Sequence, residues 1–178
     1  MADQTRIISV VGKKHAGKTT MVVALAQEWT RRGKRVATLK HGTHPATLDT
    51  EGTDTWRHFN EGGAERVLIE APATRVFFER VSEESDPIAL ARRFMLGVDI
   101  VIAEGFTSSP LPKIEVFRSS EHKTPRYDPS LANAASWIAI VTDGKHLDVP
   151  FPLFRFNDTA LLVTLSAIAW DGAQVIEP

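Results

Sequence analysis

Residues 12–19 read Gly-Lys-Lys-His-Ala-Gly-Lys-Thr, and this stretch decides the fold of the 178-residue chain. Its glycines, lysine and threonine have the spacing G-x-x-x-x-G-K-[ST] of a phosphate-binding loop. The apolar run Arg6–Val11 precedes it as a predicted buried strand, and residues 21–29 after it have the pattern of a helix. In a strand, glycine loop and helix of this order, main-chain N–H groups and the helix N-terminus point at phosphate oxygens. The sequence therefore predicts a nucleoside-phosphate site.

Each residue type that defines such a loop has a physical reason for its position. Gly12 and Gly17 stand where a side chain would block a positive φ angle or the close approach of phosphate. Lys18 supplies charge to the terminal phosphates, and the Thr19 hydroxyl is a ligand for Mg²⁺. The predicted nucleotide contacts extend over the whole loop, which comprises Gly12, Lys13, Lys14, His15, Ala16, Gly17, Lys18, Thr19 and Thr20.

The composition fits a single nucleotide-binding domain over residues 1–178, with 43% hydrophobic and 24% charged residues. A formal net charge of −1 gives no electrostatic reason to expect nucleic acid or an anionic membrane as a partner. The chain has no cysteine, which excludes disulfides and thiolate chemistry. The uncharged stretch of residues 159–170 is too short and too polar to span a bilayer. We therefore expect a cytoplasmic location.

Apolar runs and helical patterns alternate along the whole chain. This alternation predicts an α/β protein, a three-layer αβα P-loop NTPase fold with a mostly parallel sheet. The predicted strands are 6–11, 35–40, 66–71, 75–80, 98–103, 114–117 and 137–141, the third and fourth forming a hairpin. The predicted helices are 21–29, 55–61, 86–96 and 158–169, the last with Asn157 as its N-cap.

Ligand groups in an open α/β sheet gather at the carboxyl ends of the strands. One predicted strand ends in Glu104, where P-loop proteins keep a carboxylate for Mg²⁺, held directly or through water. Lys18 and Glu104 are therefore the predicted catalytic residues. Another strand leads to Asp143, which either contacts the nucleotide base or opens a turn before Gly144.

A polar segment follows the second predicted strand and contains His41, His44, Asp49, Asp54 and Arg57. The two histidines and Asp49 either bind metal or phosphate, or they are surface residues of a loop. Asp54 and Arg57, at i and i+3, either belong to the nucleotide site or form an ion pair on a helix surface. The predicted metal ligands are Thr19, Glu104 and Asp49.

Several segments of the chain together resemble the molybdopterin-guanine dinucleotide biosynthesis protein B (MobB) family. They occur in family order over roughly residues 6–145. The matching segments are Val11-Gly-Lys-Lys-His-Ala-Gly-Lys-Thr-Thr20, Leu39-Lys-His-Gly-Thr-His44, Asp49-x-x-Gly52-x-Asp54-Thr55-x-Arg57-His58, Gly62-Gly-Ala64, Asp99-Ile-Val-Ile-Ala-Glu-Gly-Phe106 and Pro112-Lys-Ile-Glu115.

The resemblance implies a homodimeric guanine-nucleotide-binding protein that assists a nucleotidyltransferase. That partner joins GMP to molybdopterin. The resemblance implies that this chain contacts molybdopterin either directly or through the partner. GTP and Mg²⁺ are the implied cofactors, and hydrolysis is implied to be weak. Because the chain has no Asn-Lys-x-Asp tetrapeptide, guanine preference rests on the resemblance alone.

Two other functions stay open at this point. The first is a small-molecule kinase of the P-loop type, with residues 119–129 as a mobile lid. The second is a nucleotide-gated carrier that holds the pterin through His41, His44 and the segment 49–57. No water-positioning glutamine is evident near the loop, and Arg57, Arg118 and Arg126 are candidates for a catalytic arginine by chemistry only.

Overall fold

The structure, a computed structural model, describes residues 4–42, 49–144 and 147–177. His44, one of the predicted ligand residues, lies outside them.

The chain divides into two compact units. The larger unit consists of Met1–His41 and Asp86–Pro178, and the smaller unit consists of Gly42–Ser85. The phosphate-binding loop and Glu104 belong to the larger unit, whereas Asp49, Asp54 and Arg57 belong to the smaller one. The interpretation of residues 1–178 as a single domain stays a prediction.

The helices and strands follow one another in an alternating order. The strands are β1 (Thr5–Val11), β2 (Val36–Lys40), β3 (Arg66–Ala71), β4 (Thr74–Glu79), β5 (Ile100–Glu104), β6 (Lys113–Phe117), β7 (Trp137–Thr142), β8 (Leu153–Arg155) and β9 (Gln174–Ile176). The helices are α1 (Lys18–Arg31), α2 (Asp54–Asn60), α3 (Pro87–Phe94) and α4 (Leu161–Gly172).

The larger unit is built on a sheet with strand order β2-β5-β1-β6-β7-β8, in which all neighbours are parallel. The short strand β9 pairs antiparallel with the start of β1. The central strands β1 and β5 are almost wholly buried, as expected for parallel strands that are covered on both faces. This explains why both strands are runs of branched aliphatic residues rather than alternating patterns.

Helices cover both faces of this sheet. On one face, Leu25 of α1 and Leu165 of α4 belong to the same buried cluster as Ile102 of β5. On the other face, Ala91 of α3 lies in a second cluster with Val101 of β5. Adjacent residues of one strand thus contribute to opposite faces, as the pleat requires. The predicted three-layer αβα fold with a mostly parallel sheet is confirmed.

The end of the chain differs from the prediction. Helix α4 begins at Leu161, so the interpretation of Asn157 as its N-cap is wrong. The preceding residues form a turn in which the Asp158 carboxylate accepts a hydrogen bond from Ala160 N at 3.0 Å. The three-residue strands β8 and β9 were not predicted, since runs this short carry no periodicity to detect.

The smaller unit contains α2 and a hairpin formed by β3 and β4, which pair antiparallel from Arg66↔Glu79 to Ala71↔Thr74. The predicted hairpin is therefore confirmed. Phe59 of α2 packs against Phe78 of β4, with ring centroids 6.1 Å apart. None of the helices within the described residues has the length and apolar character needed to cross a membrane.

Candidate functional site

The phosphate-binding loop connects β1 to α1, as predicted. His15 and Gly17 have positive φ angles of 62° and 99°, and Gly17 is the N-cap residue of α1. Left-handed residues beside a helix start bring successive main-chain N–H groups onto one concave side, which is the backbone form of an anion-binding nest. The loop geometry therefore has the form that phosphate binding requires.

Gly12 begins the loop where it passes close to the neighbouring strand. Its φ angle is 153°, and a Cβ atom added to it would collide with the carbonyl oxygen of Val116 in β6. Only glycine permits this combination of backbone angle and close approach. The start of the loop thus packs directly against the backbone at the end of β6.

Lys18, in the first turn of α1, extends back over the loop. Its Nζ donates a hydrogen bond to the carbonyl oxygen of Lys13 at 3.0 Å. Burial lowers the pKa of Lys18, Glu104 acts in the opposite direction, and the positive charges of Arg126 and Lys40 lower the pKa further. Several cations therefore lie near one another beside the loop, an arrangement that an anion would stabilise.

Thr19 and Glu104 contact each other directly. The Thr19 hydroxyl lies 2.9 Å and 3.0 Å from the two carboxylate oxygens of Glu104, which is only 8% exposed. The Lys40 ammonium lies 3.4 Å from the same carboxylate. Parallel pairing of β1, β5 and β2 brings these groups together, since Lys40 and Glu104 are register partners at the carboxyl ends of their strands.

This pair fits the chemistry of Mg²⁺, which prefers hard oxygen ligands and is often held by one carboxylate together with substrate phosphates. Among the described residues, no group of three or more His, Cys, Asp and Glu side chains could hold a metal by itself. An ion bound by Thr19 and Glu104 would therefore also need phosphate oxygens or water as ligands.

His41 follows β2 and lies beside the end of β5. Its main-chain N–H donates to the carbonyl oxygen of Glu104 at 3.0 Å, and its ring lies 5.1 Å from the ring of Phe106. Gly105, with φ of 96°, permits this approach, because an added Cβ would lie 3.2 Å from His41 Cβ. The structure thus places His41 next to the predicted metal-binding acid.

The predicted ligand residues of the smaller unit have partners within that unit. The Asp49 carboxylate accepts hydrogen bonds from Thr50 N at 2.8 Å and from the hydroxyls of Thr53 and Thr55, and these bonds lower its pKa. Arg57 forms an ion pair of 2.9 Å with Glu61 rather than with Asp54. The roles of Asp49, Asp54 and Arg57 in nucleotide or metal binding stay predictions.

Asp143 directly follows β7, and its carboxylate stabilises a turn. Its carboxylate accepts hydrogen bonds from Ser119 N at 2.6 Å, from the Ser119 hydroxyl at 2.9 Å and from the Ser120 hydroxyl at 3.2 Å. These bonds lower the pKa of Asp143. The interpretation of Asp143 as a base-contacting residue stays a prediction.

The segment 118–127 lies against the phosphate-binding loop. The Lys13 ammonium donates to Thr124 O at 2.7 Å, and His122 Nε2 lies 2.7 Å from Lys14 O. The sequence did not indicate either contact, because each joins residues more than 100 positions apart. The Lys13 ammonium therefore has a defined partner, whereas Lys14 takes part through its main-chain carbonyl and its side chain is exposed.

Glu115, in β6, is a buried acid to which the sequence assigned no role. It is 1% exposed, and its carboxylate accepts hydrogen bonds from Arg126 N, from Tyr127 N at 2.9 Å and from Trp137 Nε1 at 2.9 Å. Burial raises its pKa although these donors act in the opposite direction. Glu115 thus fixes the end of the segment that contacts the phosphate-binding loop.

Two pockets flank α1 on different helix faces. The first, of about 300 Å³, lies between α1 and the start of α4 and is lined by Gly17, Thr20, Met21, Ala24, Arg118, Phe156, Asp158, Thr159, Leu161 and Leu162. The second, of about 550 Å³, lies between α1 and β2 and is lined by Thr19, Val22, Val23, Ala26, Gln27, Thr30, Thr38, Leu39, Lys40 and Glu104. The sequence indicated neither, since each joins distant segments.

The sheet order, the glycine loop between β1 and α1, and the acid at the end of the adjacent strand define an α/β protein of the P-loop type. A family model described as molybdopterin guanine dinucleotide synthesis protein B matches residues 7–143. The chain belongs to this family, MobB, as the sequence motifs predicted.

Relatives with known names agree with this membership. The chain is 30% identical over 154 residues to the molybdopterin-guanine dinucleotide biosynthesis adapter protein of Haemophilus influenzae, covering 84% of each chain. It is 30% identical over 174 residues to a probable adapter protein of the same name from Bacillus subtilis, covering 94% of this chain and 95% of the relative. The crystal structure of Bacillus subtilis MobB superimposes with a TM-score of 0.70 at 22% identity, covering 92% of this chain and 98% of that one.

Proposed function

We propose that this protein is a GTP-binding adapter of molybdopterin guanine dinucleotide biosynthesis. It assists a nucleotidyltransferase that joins GMP to molybdopterin, and it hydrolyses GTP slowly. The observation that carries the proposal is the contact between Thr19 and Glu104 beside an intact phosphate-binding loop, in a chain whose relatives are named adapter proteins of this biosynthesis.

Lys18 supports the nucleotide part of the proposal. Its ammonium group donates to a neutral carbonyl oxygen, that of Lys13. A phosphate oxygen is a stronger acceptor, because a hydrogen bond between two ionised groups is shorter and stronger than one to a carbonyl. Lys18 would therefore exchange its partner when a nucleotide enters the loop, and the exchange would also relieve the repulsion from Arg126 and Lys40.

Thr19 and Glu104 are the groups that would hold Mg²⁺. The Thr19 hydroxyl donates its proton to Glu104, which leaves the hydroxyl lone pairs available as acceptors for a cation. A bound Mg²⁺ neutralises charge on the β- and γ-phosphates. Glu104, held by Thr19 and Lys40, orients the hydroxyl and supplies the negative charge of the site.

We infer slow hydrolysis from the positions of the candidate catalytic arginines. Arg57 pairs with Glu61, and the Arg118 guanidinium lies 4.2 Å from the centre of the Phe156 ring. Arg126, the third candidate, adds positive charge near Lys18, and its main-chain N–H donates to Glu115. We propose that none of the three stabilises the transferring phosphoryl group, which would cost about 10³–10⁵ in rate. An adapter needs nucleotide-dependent binding more than fast turnover, so this slow chemistry is compatible with its role.

A reconstituted reaction tests the adapter role. Purified nucleotidyltransferase, molybdopterin and Mg²⁺-GTP should yield dinucleotide faster when this protein is added. Lys18→Ala should remove the stimulation, whereas Lys34→Ala, which changes a lysine lying over the Trp170 ring, should retain it. Equal dinucleotide formation with and without the protein would contradict the proposal.

One observation favours a second candidate, a small-molecule kinase. The pocket of about 550 Å³ adjoins Thr19 and Glu104 and could receive a phosphoryl acceptor. Transfer of labelled γ-phosphate from GTP to a metabolite extract would support this function. Nucleotide binding without transfer would support the adapter.

A further inference from the structure

We propose that the pocket between the C-terminal ends of α1 and α4 is a docking site for an acidic segment of a partner protein. A carboxylate side chain of that segment would enter the pocket, where Trp29, Arg32 and Lys34 would bind it. The pocket has a volume of about 250 Å³ and is lined by Trp29, Arg32, Lys34, Ala167, Trp170 and Asp171.

This pocket is separate from the nucleotide site. The phosphate-binding loop leads into the first residue of α1, Lys18, whereas Trp29 and Arg32 lie at the other end of that helix. At about 1.5 Å per residue, the two ends of the helix are about 20 Å apart. Docking at the pocket is therefore independent of nucleotide binding. Because the nucleotidyltransferase acts on a guanine nucleotide, the acidic segment would belong to a different partner of the adapter.

Trp29 supplies a hydrogen-bond donor that has no partner. Its side chain is 1% exposed, and its indole Nε1 is a buried polar atom without a hydrogen-bond acceptor among the described residues. A buried donor without an acceptor costs free energy, and native proteins rarely leave one. Trp29 also lines the pocket, where its ring centre lies 6.5 Å from that of Trp170. An acceptor that enters beside the two rings would remove this cost.

The charges around the pocket favour an anionic group. Lys34 Nζ lies 4.6 Å from the centre of the Trp170 ring, and the Arg6 guanidinium carbon lies 5.0 Å from it. The Glu28 carboxylate is shared by both guanidinium groups at the end of α1. The charged groups in these contacts are the cations Arg6, Arg31, Arg32, Lys34 and Arg35 and the carboxylates Glu28, Asp99 and Asp171. Positive charge is therefore in excess.

The size of the pocket favours a protein side chain over a small-molecule ligand. Pockets for small molecules begin at about 300 Å³, and this pocket is smaller. Tryptophan and arginine are the residues that most often dominate protein–protein contacts, and partly exposed Trp170 lies beside two such cations. A carboxylate is a strong acceptor for N–H groups and for cations. An aspartate or glutamate of a partner protein is therefore the occupant.

NMR signals of the four tryptophan indole N–H groups test the docking site in the full-length protein. The probe is the peptide N-acetyl-tetraglutamate amide, and the tetraglutamine peptide is its neutral control. The glutamate peptide should move the Trp29 indole proton downfield in a saturable manner, because it provides the missing acceptor. The Trp137 signal should stay in place, since that indole already donates to Glu115. The variant Trp29→Phe identifies the Trp29 signal by its absence.

Three variants measure the contributions of single groups. Lys34→Gln, at an exposed position, should weaken peptide binding by about fivefold. Lys123→Gln changes another exposed lysine and is the matched control, with the affinity of the parent protein. Trp29→Phe keeps an aromatic ring but removes the donor, so binding followed on the Trp170 signal should weaken by about tenfold.

Several outcomes would overturn the docking site. They are a Trp29 signal that does not move at millimolar glutamate peptide, an equal movement with the glutamine peptide, and parent-like affinity in Lys34→Gln. If free glutamate acts at the same concentration as the peptide, the pocket binds a free carboxylate instead of a partner segment. If the Trp29 signal changes with protein concentration alone, a second copy of the chain fills the pocket. Both results also overturn docking of an acidic partner.

Lys18→Ala separates this site from the proposed nucleotide function. The variant should lose triphosphate binding and bind the glutamate peptide like the parent protein. Loss of peptide binding in Lys18→Ala would show that the peptide occupies the phosphate-binding loop, which overturns the docking site and leaves the nucleotide function standing. Peptide binding by a parent protein that binds no triphosphate would have the opposite meaning.

Discussion

The Glu104 carboxylate contacts both the Thr19 hydroxyl and the Lys40 ammonium. These groups meet where β5 ends beside β1 and β2. In the proposed site this carboxylate would contribute in two ways, as a charge for Mg²⁺ and as the acceptor that orients Thr19. Both contributions would concern the metal, whereas main-chain N–H groups and Lys18 would hold the phosphate.

Glu104→Gln should therefore weaken the response of the site to Mg²⁺. The amide keeps an acceptor for Thr19 but lacks the charge that a divalent ion requires. We expect a higher Mg²⁺ concentration for half-maximal enhancement of GTP binding, with GTP affinity in EDTA nearly unchanged. Calorimetric titrations at several Mg²⁺ concentrations measure both quantities, and identical metal dependence in variant and parent would exclude Glu104 from the metal site.

Lys113 is a buried cation in β6 whose Nζ donates to Ser109 O and to Leu111 O. Burial lowers its pKa from 10.5 to about 8. Between about pH 8 and 10.5 the unfolded chain would therefore bind a proton that the folded protein has lost, so the free energy of unfolding should rise with pH across this window. The rise is on the order of 3 kcal/mol.

Lys113→Met should lack this rise, because it has no group to titrate. Loss of its two hydrogen bonds changes the level of stability but not the slope with pH. Urea unfolding at pH 7.5, 9 and 10 measures the difference. Lys123→Met, which changes an exposed lysine, should keep the slope of the parent protein. Equal slopes for the parent and Lys113→Met would contradict the prediction.

The connection between β1 and α1 is the element on which the site depends. Gly12→Ala should distort it, because the added methyl group would collide with Val116 O. We expect GTP affinity to fall by more than tenfold, with additional loss of stability. Gly33→Ala is the matched control, since Gly33 also has a positive φ, of 75°, but has open space around it. That control should lose about 1 kcal/mol of stability and keep its GTP affinity.

Differential scanning calorimetry and nucleotide titration of the two glycine variants separate strain from steric contact. Loss of GTP affinity in both variants to the same extent would show that backbone strain alone, and not the contact with Val116, explains the effect.

The sequence predicted those elements whose signals are local. The loop motif determined β1, the loop itself and α1, and Glu104 was found because an acid ended an apolar strand. The contact from Lys13 to Thr124 was not predictable, since it depends on how β6 lies beside β1. Glu115 was missed as a structural residue because a single acid in an apolar strand has no partner that can be read from neighbouring residues.

At the scale of the whole molecule, the smaller unit has one hairpin face with exposed apolar groups. Leu68 and Phe77 are register partners on that face and are 59% and 41% exposed. The same face carries two ion pairs, Arg66–Glu79 and Glu70–Arg75. An apolar centre bordered by charges of both signs can pair with a second copy of itself about a two-fold axis. We therefore retain the homodimer as a proposal.

Light scattering after gel filtration should give a mass of twice 19.7 kDa for the parent protein. Leu68→Lys should shift the mass toward the monomer, because it places a charge in the centre of the proposed contact. Val163→Lys, which changes a residue of α4 that is 57% exposed, should leave the mass unchanged. A parent protein of 19.7 kDa at micromolar concentration would contradict the dimer.

Binding of a nucleoside triphosphate by the loop at residues 12–19 is the claim on which both the adapter role and the metal site depend. Isothermal titration of the protein with Mg²⁺-GTP tests it most directly. We predict saturable binding of one GTP per chain, weakened by at least tenfold in Lys18→Ala. Absence of binding, or equal affinity for the parent and Lys18→Ala, would contradict the account.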